Sequence, residues 1–589
     1  SWKLESTGNN VEVATDTGRV LRFERDFQAT DWSLALVDDI PYQLIENVSV
    51  FTLADPLDGV RRTFDSNGRL TSVSDGRGNA HTLTYSGGLL TNITDGLGRT
   101  LTFTHTSGRL TAVSDGTRTV NFGHDGNARL TSSTDAAGET TTYTYVASPP
   151  ASPLLASITL PEGNTPYVQT YDANSRVATQ TDAFGEVTSF AYDTASGETT
   201  LTDPLGRVQV HDYDSDGDLV SWEDESGAAA SLQNDATGRR TAITDRLGRT
   251  NSWTIHAASG RIARKTEADG GQTTFTYTPR SSGGFTFYDL TGITYADGND
   301  ESFAYDANGN RTGWTDRGGN TWAYTFNARG QVLTETSPLN AVRTYTYNAN
   351  GTLASLDDPV LGLSSFAYDA LRRVSAITFA DTTSRAYSYD ALDRLTSVTD
   401  EESAVTSFGY DDNGNVTSIT APSAQTWTLA YDALDRLTSV EDPLGNTASA
   451  SYDEVGRVAG LVDPTGKGVT LGYDVRGRLE SAAFSAGQTW SNTHDGEGAP
   501  TASASASGAS TSYLTDVLGR ITRATTPTGA VTRRTFDLFG RLKTSVDAEG
   551  RTTSFNYDAL GRVASFALPF SGATATFTRN ALGQTLSVS

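Results

Sequence analysis

An aromatic residue followed by an acid recurs every 21 residues along most of this chain. From Tyr305, steps of 21 land on Phe326, Tyr347, Tyr368, Tyr389, Tyr410, Tyr431, Tyr452, Tyr473, His494, Thr515, Phe536 and Tyr557, with no insertion or deletion. The next residue is Asp or Asn at every step, from Asp306 to Asp558. The register is visible upstream as Tyr171, Tyr192, Tyr213 and Asn234, and shortens to 20 at Asp75, Asp95, Asp115 and Asp135. A decapeptide spelled twice, Tyr389–Val398 and Tyr431–Val440, is therefore the same place in two repeats rather than a duplicated site. Fixed periods of this length mark arrays whose units bury their apolar faces only against neighbours.

One unit reads as strand, turn, strand, turn. Phe555 and Tyr557, like Tyr387 and Tyr389, stand two apart, which puts both rings on one face of a strand. A turn follows, ending in Gly at Gly309, Gly414, Gly456 or Gly561; Gly takes the positive φ such a turn needs, and Asp can bond the backbone beyond it. A second strand such as Arg394–Asp400 leads to a turn of DPLG type at Asp203–Gly206, Asp442–Gly445 and Asp463–Gly466. Leu395 and Val398 are three apart, so this second strand is not cleanly alternating and predicts a bulge or burial on both faces. Gly, Pro, Thr and Asp every ten residues oppose helix.

About 27 such hairpins make roughly 55 strands, which laid flat at ~4.8 Å spacing would extend ~260 Å. A twisted sheet that wide has to coil, and its ring is too broad for side chains to fill. The expected fold is all-β: tandem 21-residue hairpins coiling into a large, hollow, spiral β-shell. Hydrophobic content of 36%, below the usual ~45–50%, suits a thin wall. Residues 1–51 read as irregular capping repeats and 52–589 as one continuous array. Surface-loop insertions are expected near 146–160, around the Pro/Ser-rich Val146–Ser157, and near 279–290, at Pro279–Gly284; the stretch Phe27–Gln43 does not fit the repeat.

The units of Tyr452–Leu461 with Asp463–Gly466, and their many in-phase copies from about Thr52 onward, resemble the YD repeats of RHS proteins, of the C components of insecticidal toxin complexes, and of teneurins. The resemblance implies a hollow β-shell. In RHS and toxin-complex members that shell encloses a C-terminal toxin released by Asp-based self-cleavage; in teneurins it is an extracellular adhesion scaffold. The chain ends in the repeat Ala581–Val588 and shows no D-P-x-G-L core segment, so neither cargo nor self-cleavage residues carry over.

Residue chemistry narrows the role further. A net charge of −26, from 44 basic and 70 acidic residues, disfavours nucleic acid and anionic membrane. No apolar run reaches the ~18 residues a membrane helix needs. Without Cys there is no disulfide, thiolate metal site or Cys nucleophile, and a chain starting at Ser1 with no Met reads as a processed piece of a longer protein. One acid per repeat points to turn capping rather than catalysis, and each Gly-Arg pair to an Arg that partners the turn Asp, as Arg457 could partner Asp453. The sharpest local motif is Asp212–Glu223, which fits a calcium-loop template through Asp212, Asp214, Asp216, Gly217 and Glu223; its flanks read as strands where an EF-hand needs helices. Six dispersed His, with no elbow serine and no phosphate loop, offer no catalytic or cofactor site. The expectation is a non-enzymatic, secreted or surface-delivered shell that carries a polypeptide cargo, or alternatively an adhesive scaffold for proteins or glycans, with calcium the one candidate cofactor.

Overall fold

A hairpin whose two strands each bear an apolar face can bury that face only by adding the next hairpin beside it, and the computed structural model shows this addition carried through the chain. It describes residues 2–25, 32–35, 40–146, 154–569 and 573–589. Among them there are fifty-six strands and no helix. A four-stranded sheet runs from β1 (Lys3–Thr7) to β4 (Ser33–Leu34). From β5 (Gln43–Asn47) to β56 (Thr585–Val588), every strand pairs antiparallel with the next in chain order, giving one sheet of 52 strands. The all-β hairpin array predicted from the period is thus the observed fold.

The bulge is there, and it explains the odd spacing of the second strand. Between β41 (Thr426–Tyr431) and β42 (Leu437–Glu441), Tyr431 faces Leu437 while Ala430 faces Ser439, leaving Thr438 as an extra residue. Leu437 and Val440 therefore sit on one face, opposite Tyr431 and Leu429. The Thr438 hydroxyl donates to the Ala430 carbonyl at 3.0 Å, and Thr71, Thr241 and Thr522 repeat the contact. The resulting ladder face carries stacked rings, with Trp314 and Trp322 4.4 Å apart and Phe566 6.1 Å from both Phe555 and Phe577.

The ribbon coils. Side chains on turns about 250 positions apart touch repeatedly, as where the Arg246 N–H donates to Glu497, 251 residues on. Twenty-three strands separate those two turns, so one coil at ~4.8 Å per strand has a circumference of roughly 110 Å and a diameter of ~35 Å. The accessible surface is 30956 Å², against roughly 20,000 Å² for a solid monomer of 62.5 kDa. The excess is the second face of a wall enclosing space.

A packed core exists mainly at the beginning, where Leu4, Val11, Val13, Leu21, Phe23 and Trp32 of the small sheet close over Leu44, Phe51, Leu53 and Phe64. The second of the two expected surface loops requires correction, and the first lies only in part within the described residues. Leu155–Thr159 is a strand of the long sheet, the remainder of that insertion at 147–153 lying outside the described residues. Much of Phe27–Gln43 likewise lies outside them, at 27–31 and 36–39. The segment 279–290 is no loop: β27 (Gln272–Ser282) and β28 (Phe285–Thr294) form an extended hairpin turned at Gly283 and Gly284. Pro279 is tolerated because the pairing of β27 with its other neighbour stops at Thr274.

Candidate functional site

In a wall of this kind the functional parts are the device that holds neighbouring hairpins and the line along which successive coils meet. The first is built from the six letters Y-D-x-x-G-R, and the second joins turns carrying those letters to the other turns of the repeat. In the repeat beginning at Tyr452, the Asp453 carboxylate accepts the N–H groups of Val455 and Arg457 on one oxygen and the Arg457 guanidinium Nε, at 2.7 Å, on the other. Gly456, at φ 83°, lets the backbone turn inside that cradle. The Arg457 guanidinium then lies over the ring of Tyr473 in the next repeat, 4.5 Å from its centroid. Tyr473 in turn donates its hydroxyl back to the Val458 carbonyl at 2.7 Å, and Tyr452 does the same to Leu437. Turn capping and the Arg457–Asp453 pair are as the sequence suggested.

The cradle sets the acidity of these carboxylates. For Asp453, burial pushes the carboxyl up, but hydrogen bonds from Arg457 and its charge outweigh burial and hold it below its ordinary value. Asp95 follows the same balance and is brought down to about 2, burial again opposing the hydrogen bonds of Arg99 and Leu97. Such acids are permanent anions at neutral pH and poor proton carriers.

The seam between coils joins second turns upstream to YD turns downstream. Arg118 meets Asp393 at 2.7 Å, Arg372 donates to the Leu97 carbonyl at 2.6 Å, and Asn164 donates to the Ala433 carbonyl at 3.0 Å. At its densest point Asp224, buried, is flanked by Arg246 at 2.5 Å and by Arg476 of the other coil at 2.8 Å. Burial pushes the Asp224 carboxyl up, yet Ser226 hydrogen bonds and the Arg476 charge hold it down. A cavity of about 440 Å³ opens there, lined by His211, Trp222, Asp224, Arg246, Arg476 and Glu497.

Sequence reasoning missed the seam, because its partners are about 250 residues apart. One signal was present. Arg372, Asp393 and Asp435 stand where other repeats have Gly and keep its positive φ, at 65°, 66° and 58°. A bulky residue in that conformation is strained and points to a use of its side chain: Arg372 and Asp393 reach Leu97 and Arg118 across the seam, and Asp435 holds Asn413 of its own coil, whose amide donates to Asn164 across it.

The calcium-loop candidates fall on one hairpin. Asp212 and Tyr213 end a strand, Asp214 to Asp218 form its YD turn, and Glu223 closes the following strand. Asp214 accepts the N–H groups of Asp216 and Asp218, as its counterparts do, and Asp212 accepts from the Ser221 hydroxyl. Glu223 faces Val210 across the hairpin. Among the described residues no group of three or more His, Cys, Asp or Glu is arranged to hold a metal.

Comparison with known proteins gives the same architecture. The model of the RHS Repeat family matches residues 171–208, 213–250, 305–342, 326–360, 368–405, 410–447, 516–552 and 536–567. No curated protein sequence matches. Among solved structures, the chain is similar to the Tc holotoxin pore of Photorhabdus luminescens carrying a TccC3 substitution, at 15% identity and a TM-score of 0.53, over 99% of this chain and 36% of that one. It also aligns with TcdB2-TccC3-Cdc42, at 14% identity and a TM-score of 0.49, over 98% of this chain and 36% of that one. The chain thus spans about a third of the length of the structures it matches. With in-phase YD units, eight family matches and a shell of the same fold, it belongs to the RHS/YD-repeat family.

Proposed function

We infer that this chain is the wall of a container: a non-enzymatic, secreted or surface-delivered shell whose interior shelters a polypeptide. The observation that carries this reading is the surface of 30956 Å², half as large again as a solid protein of its mass would show. A coil ~35 Å across, less the length of inward side chains, leaves room for an unfolded chain or a small domain. The mechanism is exclusion: a continuous ladder along the ribbon and side chains across the seam keep a protease out, and the acids of the YD turns are tied up in those turns. The matched Tc structures support the reading by fold.

The test is a fusion. A disordered, protease-sensitive reporter is placed after Ser589, and digestion is followed with the same reporter, unfused, as control. Protection by a hundredfold or more in rate is the expected result. Cleavage of fused and free reporter at equal rates, together with binding of the empty shell to cell surfaces or glycan arrays, supports the adhesive scaffold instead.

A further inference from the structure

We propose that the seam between the first and second coils is a lateral gate, a line along which the wall parts while the β-ladders on either side stay intact. The two kinds of junction in the wall differ in what holds them. Within a coil, each strand is joined to the next by backbone hydrogen bonds. Across the seam, among the described residues, every hydrogen bond uses a side chain, and no backbone group bonds a backbone group of the other coil. Much of that side-chain set is ionic: Arg118 with Asp393, Arg372 with Asp95, Arg476 with Asp224 and Arg246 with Glu497. Only Asp393 of these groups is half exposed, the rest being largely buried, so salt screens the set in part, whereas it leaves the backbone bonds of a ladder untouched. The wall therefore has one line of low local stability, running parallel to the coil, and local opening takes place first where backbone pairing is missing.

The seam carries its own reporters. Three turn amides have their acceptors on the opposite coil: Arg246 N–H on Glu497 at 2.7 Å, Asp412 N–H on Glu162 at 3.1 Å, and Glu162 N–H on Asn413 at 3.0 Å. When the seam parts, all three lose protection at once, and the strand amides beside them keep theirs. As a motion, the gate stands on this geometry alone; as the passage of a sheltered polypeptide, it rests on the container reading.

The experiment is hydrogen–deuterium exchange on the empty, full chain, resolved to these amides. At low salt, the amides of Arg246, Asp412 and Glu162 should exchange at least tenfold faster than those of the strands Arg240–Thr244 and Val416–Thr420. Raising NaCl from about 0.05 M to about 1 M, which shortens the screening length to ~3 Å, should speed the three together by a further tenfold and leave the strands unchanged. Glu497→Gln keeps the acceptor for Arg246 and removes the charge; it should raise exchange at low salt and abolish most of the salt response at Arg246. The proposal fails if the three amides exchange as slowly as the strands at both salt concentrations. It fails also if strand and seam amides accelerate together, since the seam would then open only by unfolding. Neither outcome bears on whether a reporter is sheltered, so the gate and the container stand or fall separately.

Discussion

The tyrosine of most repeats does more than fill the ladder face, because its hydroxyl reaches the carbonyl of a residue fifteen positions back, as from Tyr452 to Leu437 at 2.7 Å. That carbonyl belongs to the residue just before the bulge. Tyr452→Phe keeps the packing and strands the acceptor, and should cost about 0.5–1.5 kcal/mol, read as a lowered denaturation midpoint; an unchanged midpoint would mean water replaces the hydroxyl without loss. The roles of Asp, Gly and Arg were legible in sequence, since they act within five residues of one another. The hydroxyl's role was not, since its partner exists only once the bulge has formed. Acid sensitivity belongs to this scale too. Asp95 titrates near 2 in the folded chain against an ordinary value of 3.8, so its contribution is fully present above about pH 4 and is lost as pH falls toward 2. A melting midpoint followed from pH 5 to pH 2 should fall across that window, and Asp95→Asn should flatten part of the fall.

At the scale of the hairpin, period and turn chemistry sufficed to place strands, turns and the bulge, because each depends on local contacts: alternation gives a face, Asp and Gly give a turn, and a three-residue step between Leu437 and Val440 gives an extra residue. What misled was composition. Pro279–Gly284 has the letters of a loop, yet Phe285 and Phe287 beyond it are buried against Ala54 and Ile45, so distant packing makes strands of the flanks. The acidic hairpin Asp212–Glu223 shows the converse case, in which a motif matches and the element differs. Asp214 is bonded into its own turn and Glu223 lies on the next strand, across from Val210. Chelation with EDTA should therefore leave the melting midpoint where it is. A fall on chelation, reversed by added calcium, would show instead that the hairpin rearranges around the ion.

For the whole molecule, the period fixed a ribbon and its curvature, and hence a hollow coil, but not how the first turn of the spiral is held to its own start. The extended hairpin β27–β28 does this. Its tip reaches the beginning of the long sheet, where Arg61 donates to the Ser282 hydroxyl at 2.7 Å, and Gln43 both donates to the Thr286 carbonyl at 2.6 Å and accepts its N–H at 2.9 Å. Phe285 and Phe287 pack beneath the Arg61 guanidinium, 5.8 and 5.4 Å from it, and each buried ring contributes roughly 1.5–3 kcal/mol. An ordinary hairpin at this place would stop short, and β5 would be left as the exposed edge of a sheet whose nearest cover is the small N-terminal sheet. Replacing 279–288 by a two-residue Asn-Gly turn restores the ordinary length while keeping the ladder from Tyr277 to Leu290. The start of the spiral should then come loose: proteolysis should appear between 43 and 64, and the radius of gyration in solution scattering should rise. The three seam amides at Glu162, Arg246 and Asp412, farther along the coil, should keep the exchange rates of the intact chain. If instead the shortened protein resists cleavage there and scatters as before, the small sheet alone anchors the first coil, and the long hairpin has no part in closing the wall.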